Sequence, residues 1–194
     1  MAQPGDELVS PRDGVRLRYE ETAATTGRLV MRWTIPPRAR LVPTPHIHRG
    51  VGETWELETG RAHYWLGRRR YTRSAPHSFA IPSDTSHIHP SNAGDGTLVA
   101  VQTVATDDPS VPAGVERWFE CMLALLQQGR ADRFWNTRNP LQGVLLIHTH
   151  LVPGSYLAGL PVGLQDRVLG AGARAARALG LPDTIEPERT RAPA

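Results

Sequence analysis

Residues 45–60 read PHIHRGVGETWELETG, and this stretch holds a group of side chains suited to binding a metal ion. His46 and His48 are two residues apart, so on a β-strand both imidazoles would point to the same face. The run RGVG supplies a flexible turn, after which Glu53 opens a second strand-like segment. Pairing of these two strands could bring Glu53 beside both histidines. Two neutral imidazoles and one carboxylate form a suitable site for a first-row divalent metal.

A fourth candidate ligand comes from residues 81–92, which read IPSDTSHIHPSN. Pro82 and Asp84 mark a turn, and His87 then starts another strand that could reach the same cavity. His89 is an alternative to His87, because it lies two residues further on and would point to the same face. An isolated His-X-His is usually a surface feature, so the combination of both stretches, and neither stretch alone, indicates a metal site.

The chain between residues 15 and 106 is typical of a mainly β fold. Its apolar or alternating segments are short and are separated by Gly, Pro, Asn or Asp, a pattern that favours a sandwich or barrel. The predicted strands cover residues 15–20, 28–35, 54–58, 62–66, 78–81 and 97–104.

The spacing of the first ligand candidates resembles that of the cupin superfamily. The first cupin motif is Gly, five residues, His-X-His, three or four residues, Glu, six residues and Gly. In this chain His46, His48, Glu53 and Gly60 match those positions, and Arg40 stands where the initial Gly would be.

The second cupin motif is Gly, five residues, Pro-X-Gly, two residues, His, three residues and Asn. Pro82 and His87 match it. Pro76 and Asp84 stand where the two glycines would be, and Asn92 comes one residue late. These departures fall at turn positions and not at ligand positions, so they bear on local turn geometry more than on the metal.

The resemblance covers residues 28–105 and implies a double-stranded β-helix (jelly-roll) barrel holding one divalent metal ion, which would be Fe, Mn, Ni, Zn or Cu. The implied metal ligands are His46, His48, Glu53 and His87. His87 is preferred to His89 because its distance from Pro82 is that of the motif. Four protein ligands would leave one or two positions of an octahedral metal open to water or substrate.

Two classes of function follow from this resemblance. The first, which we favour, is a metal-dependent enzyme acting on a small organic molecule, as an oxygenase, cyclase or isomerase. The second is a cupin that binds or senses a small molecule without catalysis. Trp55, Tyr64, Trp65 and Phe79 could line part of the pocket, but core packing is the favoured interpretation for any one of them.

The apolar period changes from two to 3.6 beyond residue 107, which predicts a C-terminal α-helical extension. Its apolar segments cover residues 111–128, 141–152 and 162–179. The predicted organisation is therefore a barrel over residues 15–106, an extension over 107–182, and flexible termini over 1–14 and 183–194. The extension could cover the barrel, pair two subunits or lie on a membrane surface.

A further His-X-His, His148 and His150, lies in this extension. On a helix, residues two apart diverge by about 200°, so we do not expect this pair to bind a metal. Cys121 falls among apolar residues of the first helical segment, and we expect it to be a buried, inert thiol.

The composition excludes some chemistries. All 22 basic residues are arginine, which rules out a Schiff-base lysine and is typical of a GC-rich bacterial genome. The run Arg68–Arg70 follows Gly67, so we interpret it as a solvated hairpin and expect no nucleic acid partner. No signal peptide or membrane-spanning stretch is visible, which favours a cytoplasmic protein without stable membrane insertion. The expected partner is a small-molecule ligand or substrate, with pairing into a homodimer left open.

Overall fold

A computed structural model describes residues 2–106, 108–152 and 154–191, and within these residues two antiparallel β-sheets enclose the core. The strands are β1 (Asp6–Val9), β2 (Arg16–Glu21), β3 (Leu29–Ile35), β4 (His46–His48), β5 (Gly52–Thr59), β6 (Arg61–Leu66), β7 (Arg69–Ser74), β8 (His77–Ile81), β9 (His87–Asn92), β10 (Leu98–Ala105), β11 (Ser155–Leu157) and β12 (Thr190–Arg191). The helices are α1 (Ala23–Thr26), α2 (Ser110–Gln127), α3 (Pro140–His150) and α4 (Val162–Ala178).

The larger sheet has seven strands in the order β12-β1-β2-β3-β10-β5-β8, and the smaller sheet has five in the order β11-β4-β9-β6-β7. Strand β10 shows why the sequence folds this way. Its residues alternate between buried and partly exposed, so that Leu98, Ala100, Gln102 and Val104 face the interior. The predicted mainly β, jelly-roll architecture is confirmed.

The large sheet joins the helices through aromatic packing. Trp33 of β3 and Phe119 of α2 are both buried, and their rings meet edge to face with centroids 5.0 Å apart. Helices occupy all three segments where the sequence has apolar residues at helical spacing, as predicted. The helix α2 is therefore part of the same hydrophobic core as the barrel strands.

The sheets extend beyond the predicted barrel of residues 15–106. Strand β1 lies in the segment expected to be flexible, strand β11 lies inside the predicted helical extension, and strand β12 lies in the predicted C-terminal tail. These strands are short and gain their stability from neighbours, because β1 pairs with β2, β11 with β4, and β12 with β1. Residues 6–9 and 190–191, within segments that we expected to be flexible termini, form strands in the structure. Residues 1, 107, 153 and 192–194 lie outside the described part of the chain.

A buried carboxylate holds the two chain ends against helix α2. Glu120 is fully buried and forms ion pairs with Arg117 and Arg189. Arg189 also lies 3.7 Å from Asp6 of β1. Removing charges from water is costly unless they are paired, so this network favours one arrangement of the termini.

Candidate metal centre

The two His-Ile-His segments of the chain lie side by side in the smaller sheet. They form strand β4 and the start of strand β9, which are antiparallel, with His46 directly opposite His87. Because alternate side chains of a strand share a face, His48 and His89 point into the barrel with them. All four imidazoles are buried, and one ring nitrogen from each lies within 4.8 Å of the others.

Three of these imidazoles are held in place through their Nδ1 atoms. His46 Nδ1 donates to the Thr44 carbonyl oxygen and His87 Nδ1 donates to the Thr85 carbonyl oxygen, both at 2.8 Å. His48 Nδ1 forms a hydrogen bond of 2.6 Å with Ser155 Oγ. Anchoring one ring nitrogen in this way orients the other, and metal-binding histidines are typically anchored so.

Ring nitrogens of the cluster are buried with few partners in the described chain. Nε2 of His87 and Nδ1 of His89 have no hydrogen-bond partner, and Nε2 of His48 and Nε2 of His89 have only the Glu53 carboxylate beside them. Buried polar atoms without a partner are rare because they lose their hydration and gain nothing in return. A divalent cation at the centre would satisfy one nitrogen of each ring, so the residues fit the metal that the cupin resemblance implies.

Glu53 approaches the cluster from the larger sheet. Its Oε1 lies 3.0 Å from His48 Nε2, and its Oε2 lies 3.3 Å from His89 Nε2. Two side chains fix the carboxylate, since Trp55 Nε1 and Gln102 Nε2 each donate to Oε2 at 3.0 Å. Glu53 is thus a buried, oriented carboxylate that faces the histidines.

The electrostatics of the centre favour the protonation states that metal binding requires. Burial lowers the pKa of His46 well below its ordinary value, and the neighbouring His89 and His87 lower it further. Burial and the proximity of His89 lower the pKa of His87 to about 4. Burial alone would raise the pKa of the Glu53 carboxyl, but His89 and His48 hold it well below its ordinary value. Neutral imidazoles at His46 and His87 and an ionised carboxylate at Glu53 are metal-binding forms.

The structure brings all the sequence-predicted ligands to one place. His46, His48, Glu53 and His87 meet in the barrel interior, and His89, the alternative to His87, is beside them. Sequence reasoning missed Ser155, whose hydroxyl bonds to His48. No local pattern marks it, because Ser155 reaches the centre only through the pairing of β11 with β4.

A cavity of about 350 Å³ opens beside this centre. His46, His48, Glu53 and His89 line one end of it, and the C-terminal extension lines most of the rest. The aromatic residues of the wall are Trp118, Phe119, Phe134, Trp135 and Tyr156. The helical extension therefore closes over the barrel and completes its pocket.

None of the four aromatic candidates lines this cavity. Trp55, Tyr64, Trp65 and Phe79 are all absent from its wall. Trp55 is buried in the core, where its indole binds Glu53. Tyr64 and Phe79 come from different sheets and stack on each other with centroids 3.8 Å apart. Core packing therefore accounts for Trp55 and for the Tyr64–Phe79 pair.

In the His-X-His pair of helix α3, His148 and His150, the second histidine makes a structural contact. His150 Nε2 is 2.8 Å from the Asp183 carbonyl oxygen, to which it donates a hydrogen bond, and it joins helix α3 to the C-terminal segment. Cys121 is buried, and the backbone N–H of Ile185 donates to its Sγ. Burial raises the pKa of the Cys121 thiol, which keeps it protonated and poorly nucleophilic.

The fold and the site together decide the type of barrel. Two facing antiparallel sheets carry the two motif segments, and their histidines converge on one interior point together with the motif glutamate. This barrel has the cupin fold. Within the described residues, no helix of this chain has the length and apolar character needed to cross a membrane.

Comparisons with solved structures find other cupin and double-stranded β-helix proteins. A cupin domain from Schizosaccharomyces pombe is 13% identical, with a TM-score of 0.40, and covers 48% of this chain, which spans 65% of that domain. A double-stranded β-helix protein from Klebsiella pneumoniae is 20% identical, with a TM-score of 0.43, over 53% of this chain and 86% of that one. A predicted oxalate decarboxylase from Thermotoga maritima is 18% identical, with a TM-score of 0.44, over 54% of this chain and 94% of that one. No protein-family model and no curated protein matches the chain.

Proposed function

We propose that this cupin is a metal-dependent enzyme that acts on a small organic molecule. The proposed metal ligands are His46, His48, Glu53 and His87, joined by His89. The observation that supports this most strongly is the group of buried ring nitrogens without partners at the end of a cavity. Such a group is costly to bury in the absence of a ligand and is directly accessible to a small molecule.

The distances in the centre support a shared metal. Metal–ligand bonds of about 2.0–2.2 Å at right angles separate two donor atoms by roughly 3 Å. Glu53 lies 3.0 Å from His48 Nε2 and 3.3 Å from His89 Nε2. We therefore include His89 beside His87, because both histidines offer an unpaired nitrogen to the same centre.

A bound divalent metal would supply a Lewis acid that polarises an oxygen or nitrogen of the substrate. The chain's own residues prepare the site for it. Trp55 and Gln102 hold the Glu53 carboxylate, and Gln102 is itself fixed because Trp33 Nε1 donates to its Oε1 at 3.0 Å. Helix α2 and the extension shield this end of the cavity from solvent with apolar side chains.

The described wall of the cavity offers no lysine, cysteine or free serine that could act as a nucleophile. Ser155 is hydrogen-bonded to His48, and Cys121 is not part of the wall. The reaction would therefore depend on the metal, as an oxygenase, cyclase or isomerase. Beyond the proposed metal ligands, the titratable side chain that the described wall offers is Tyr156, which is hydrogen-bonded to Asp166. This supports the second candidate, a cupin that binds or senses the molecule without converting it.

Metal analysis of the purified protein tests the proposal. Protein prepared without chelators or a histidine tag should carry about one equivalent of Fe, Mn, Ni, Zn or Cu, as expected for a single centre. The double variant H46A/H48A should carry almost none. The matched control H63A/H77A removes two histidines of the barrel outside the cluster and should keep the metal. Equal metal content in the two double variants would refute the proposed site.

A further inference from the structure

The cavity has two chemically different ends, and this difference defines the molecule that fits it. We infer that the site takes a ligand with an apolar body and a single polar group, and that the polar group turns toward the histidines. The binding of the polar group to the metal rests on the proposed function. The apolar body of the ligand is inferred only from the residues that line the cavity.

The wall away from the histidines is apolar and comes mostly from the C-terminal extension. Trp118 and Phe119 belong to α2, Ile147 to α3, Leu169 to α4, and Trp135 to the segment between α2 and α3. The ring centroids of Trp118 and Phe119 are 5.0 Å apart, and those of Phe119 and Trp135 are 6.0 Å apart. These rings pack against each other and present a continuous apolar surface to a ligand.

The polar side chains of this wall are mostly engaged with the protein itself. Gln165 accepts from the Leu157 N–H at 2.9 Å and donates to the Leu157 and Leu160 carbonyl oxygens at 3.0 Å. The Tyr156 hydroxyl donates to Asp166 Oδ1 at 2.8 Å. A ligand with several polar groups would have to break these bonds or leave its own groups unpaired, and either would weaken binding.

The charges of the wall disfavour strongly anionic ligands. None of the described residues that line the cavity is an arginine, and the chain has no lysine. Glu53 lies at the histidine end of the cavity. A divalent cation at the centre would balance Glu53 and one negative charge of a ligand. A phosphate dianion or dicarboxylate would bring a further negative charge, which has no cation to pair with in the apolar part of the cavity and is costly there. A ligand whose single polar group lies at the metal avoids this cost.

The size of the cavity limits the ligand to a compact molecule. Its volume of about 350 Å³ is near the lower end of small-molecule pockets, which span roughly 300–1,000 Å³. A molecule of one or two rings with one coordinating atom meets the size, the polarity and the charge of this space.

Titration calorimetry with three small compounds that share an imidazole ring tests the inference. They are imidazole, 4-phenylimidazole and imidazole-4-acetate, each added to metal-free protein and to protein loaded with Co²⁺. We expect 4-phenylimidazole to bind about tenfold or more tighter than imidazole in both forms, because its phenyl group is buried in the apolar wall. Imidazole-4-acetate should bind more weakly than imidazole to the metal-free protein, where no cation pairs with its carboxylate. Tighter binding of the acetate than of the phenyl compound to the metal-free protein, or no binding of 4-phenylimidazole to either form, would overturn the inference.

The outcomes separate this inference from the proposed function. A phenyl preference in a protein that takes up no Co²⁺ would refute the metal centre and support the apolar site. Stoichiometric Co²⁺ without a phenyl preference would refute the apolar site and leave the metal centre standing.

A cation placed in the wall provides a second test. The half-buried Leu169 lines the cavity, so L169R should weaken 4-phenylimidazole binding at least tenfold and strengthen imidazole-4-acetate binding. The control L164R changes an exposed leucine on the same helix outside the cavity and should leave both affinities unchanged. Equal effects of the two variants would contradict the proposed position of the apolar body.

Discussion

The two ends of the cavity are built by different parts of the chain. The histidine end comes from β4, β5 and β9, where strand alternation places chemically similar side chains on one face. The apolar end comes from helices α2–α4 and the segments that connect them, which pack over the barrel. We propose that the barrel positions the metal ligands, while the extension selects the molecule that reaches them.

One residue of the extension belongs to both ends. Ser155 lies in β11, which joins the barrel sheet beside β4, and its hydroxyl holds the His48 ring. The extension is therefore attached to the metal centre and does more than cover it. Variants at each end of the cavity should therefore show which properties depend on both ends.

The largest expected effect concerns the packing of the apolar end on the barrel. F119A removes a buried ring that contacts Trp33, so we expect the free energy of unfolding to fall by about 3–5 kcal/mol. F134A removes a ring of the same wall that is 37% exposed, and we expect a loss of about 1 kcal/mol or less. Urea unfolding of the metal-free proteins measures both. Equal losses would mean that α2 does not share the core of the barrel.

A smaller effect concerns the contact between helices α2 and α3. A side chain at Gly114 would overlap the His150 carbonyl oxygen, so G114A should force the helices apart and lower stability by about 1–3 kcal/mol. G163A adds the same methyl group on α4 where no atom is near, and it should raise stability by up to about 1 kcal/mol. Thermal unfolding of the pair tests this packing. Stabilisation by G114A would contradict the close approach of α2 and α3.

The smallest effect concerns Ser155, where the two ends meet. S155A removes the hydrogen bond that orients His48, and the loss of such a supporting bond typically weakens metal binding about 10- to 100-fold. The free energy of unfolding of the metal-free protein should fall by about 1 kcal/mol, because the buried His48 Nδ1 loses its partner. S78A, on an exposed position of β8, should leave the metal affinity unchanged. Competition with a chelating indicator measures the affinities, and an unchanged value for S155A would show that the extension plays no part in the centre.

The histidine end could be predicted from the sequence because its residues lie in short, recognisable motifs. A His-X-His on a strand fixes two side chains on one face, and the spacing to Glu53 and His87 is that of the cupin motifs. Sequence reasoning left His87 and His89 as alternatives, because the second cupin motif contains a single histidine ligand. The structure places both beside the other ligands, because residues two apart on β9 share a face.

The apolar end could not be predicted in the same way. Helical periodicity indicates that Trp118 and Phe119 are buried, but it does not say against which surface they pack. The short strands β1, β11 and β12 were missed because their two to four residues carry little periodicity and their partners are distant in sequence or polar. Their pairing is a property of the tertiary fold, as is the Glu120–Arg189 contact that holds the C-terminal segment.

The central claim is that the barrel histidines and Glu53 hold one metal ion at the end of an apolar cavity. Anomalous scattering from crystals of the metal-loaded protein tests it most directly. The account predicts one peak about 2.0–2.2 Å from the Nε2 atoms of the cluster and in contact with Glu53. It would be contradicted by a peak at His148 and His150, or by no peak at the cluster in crystals whose protein carries a full equivalent of metal.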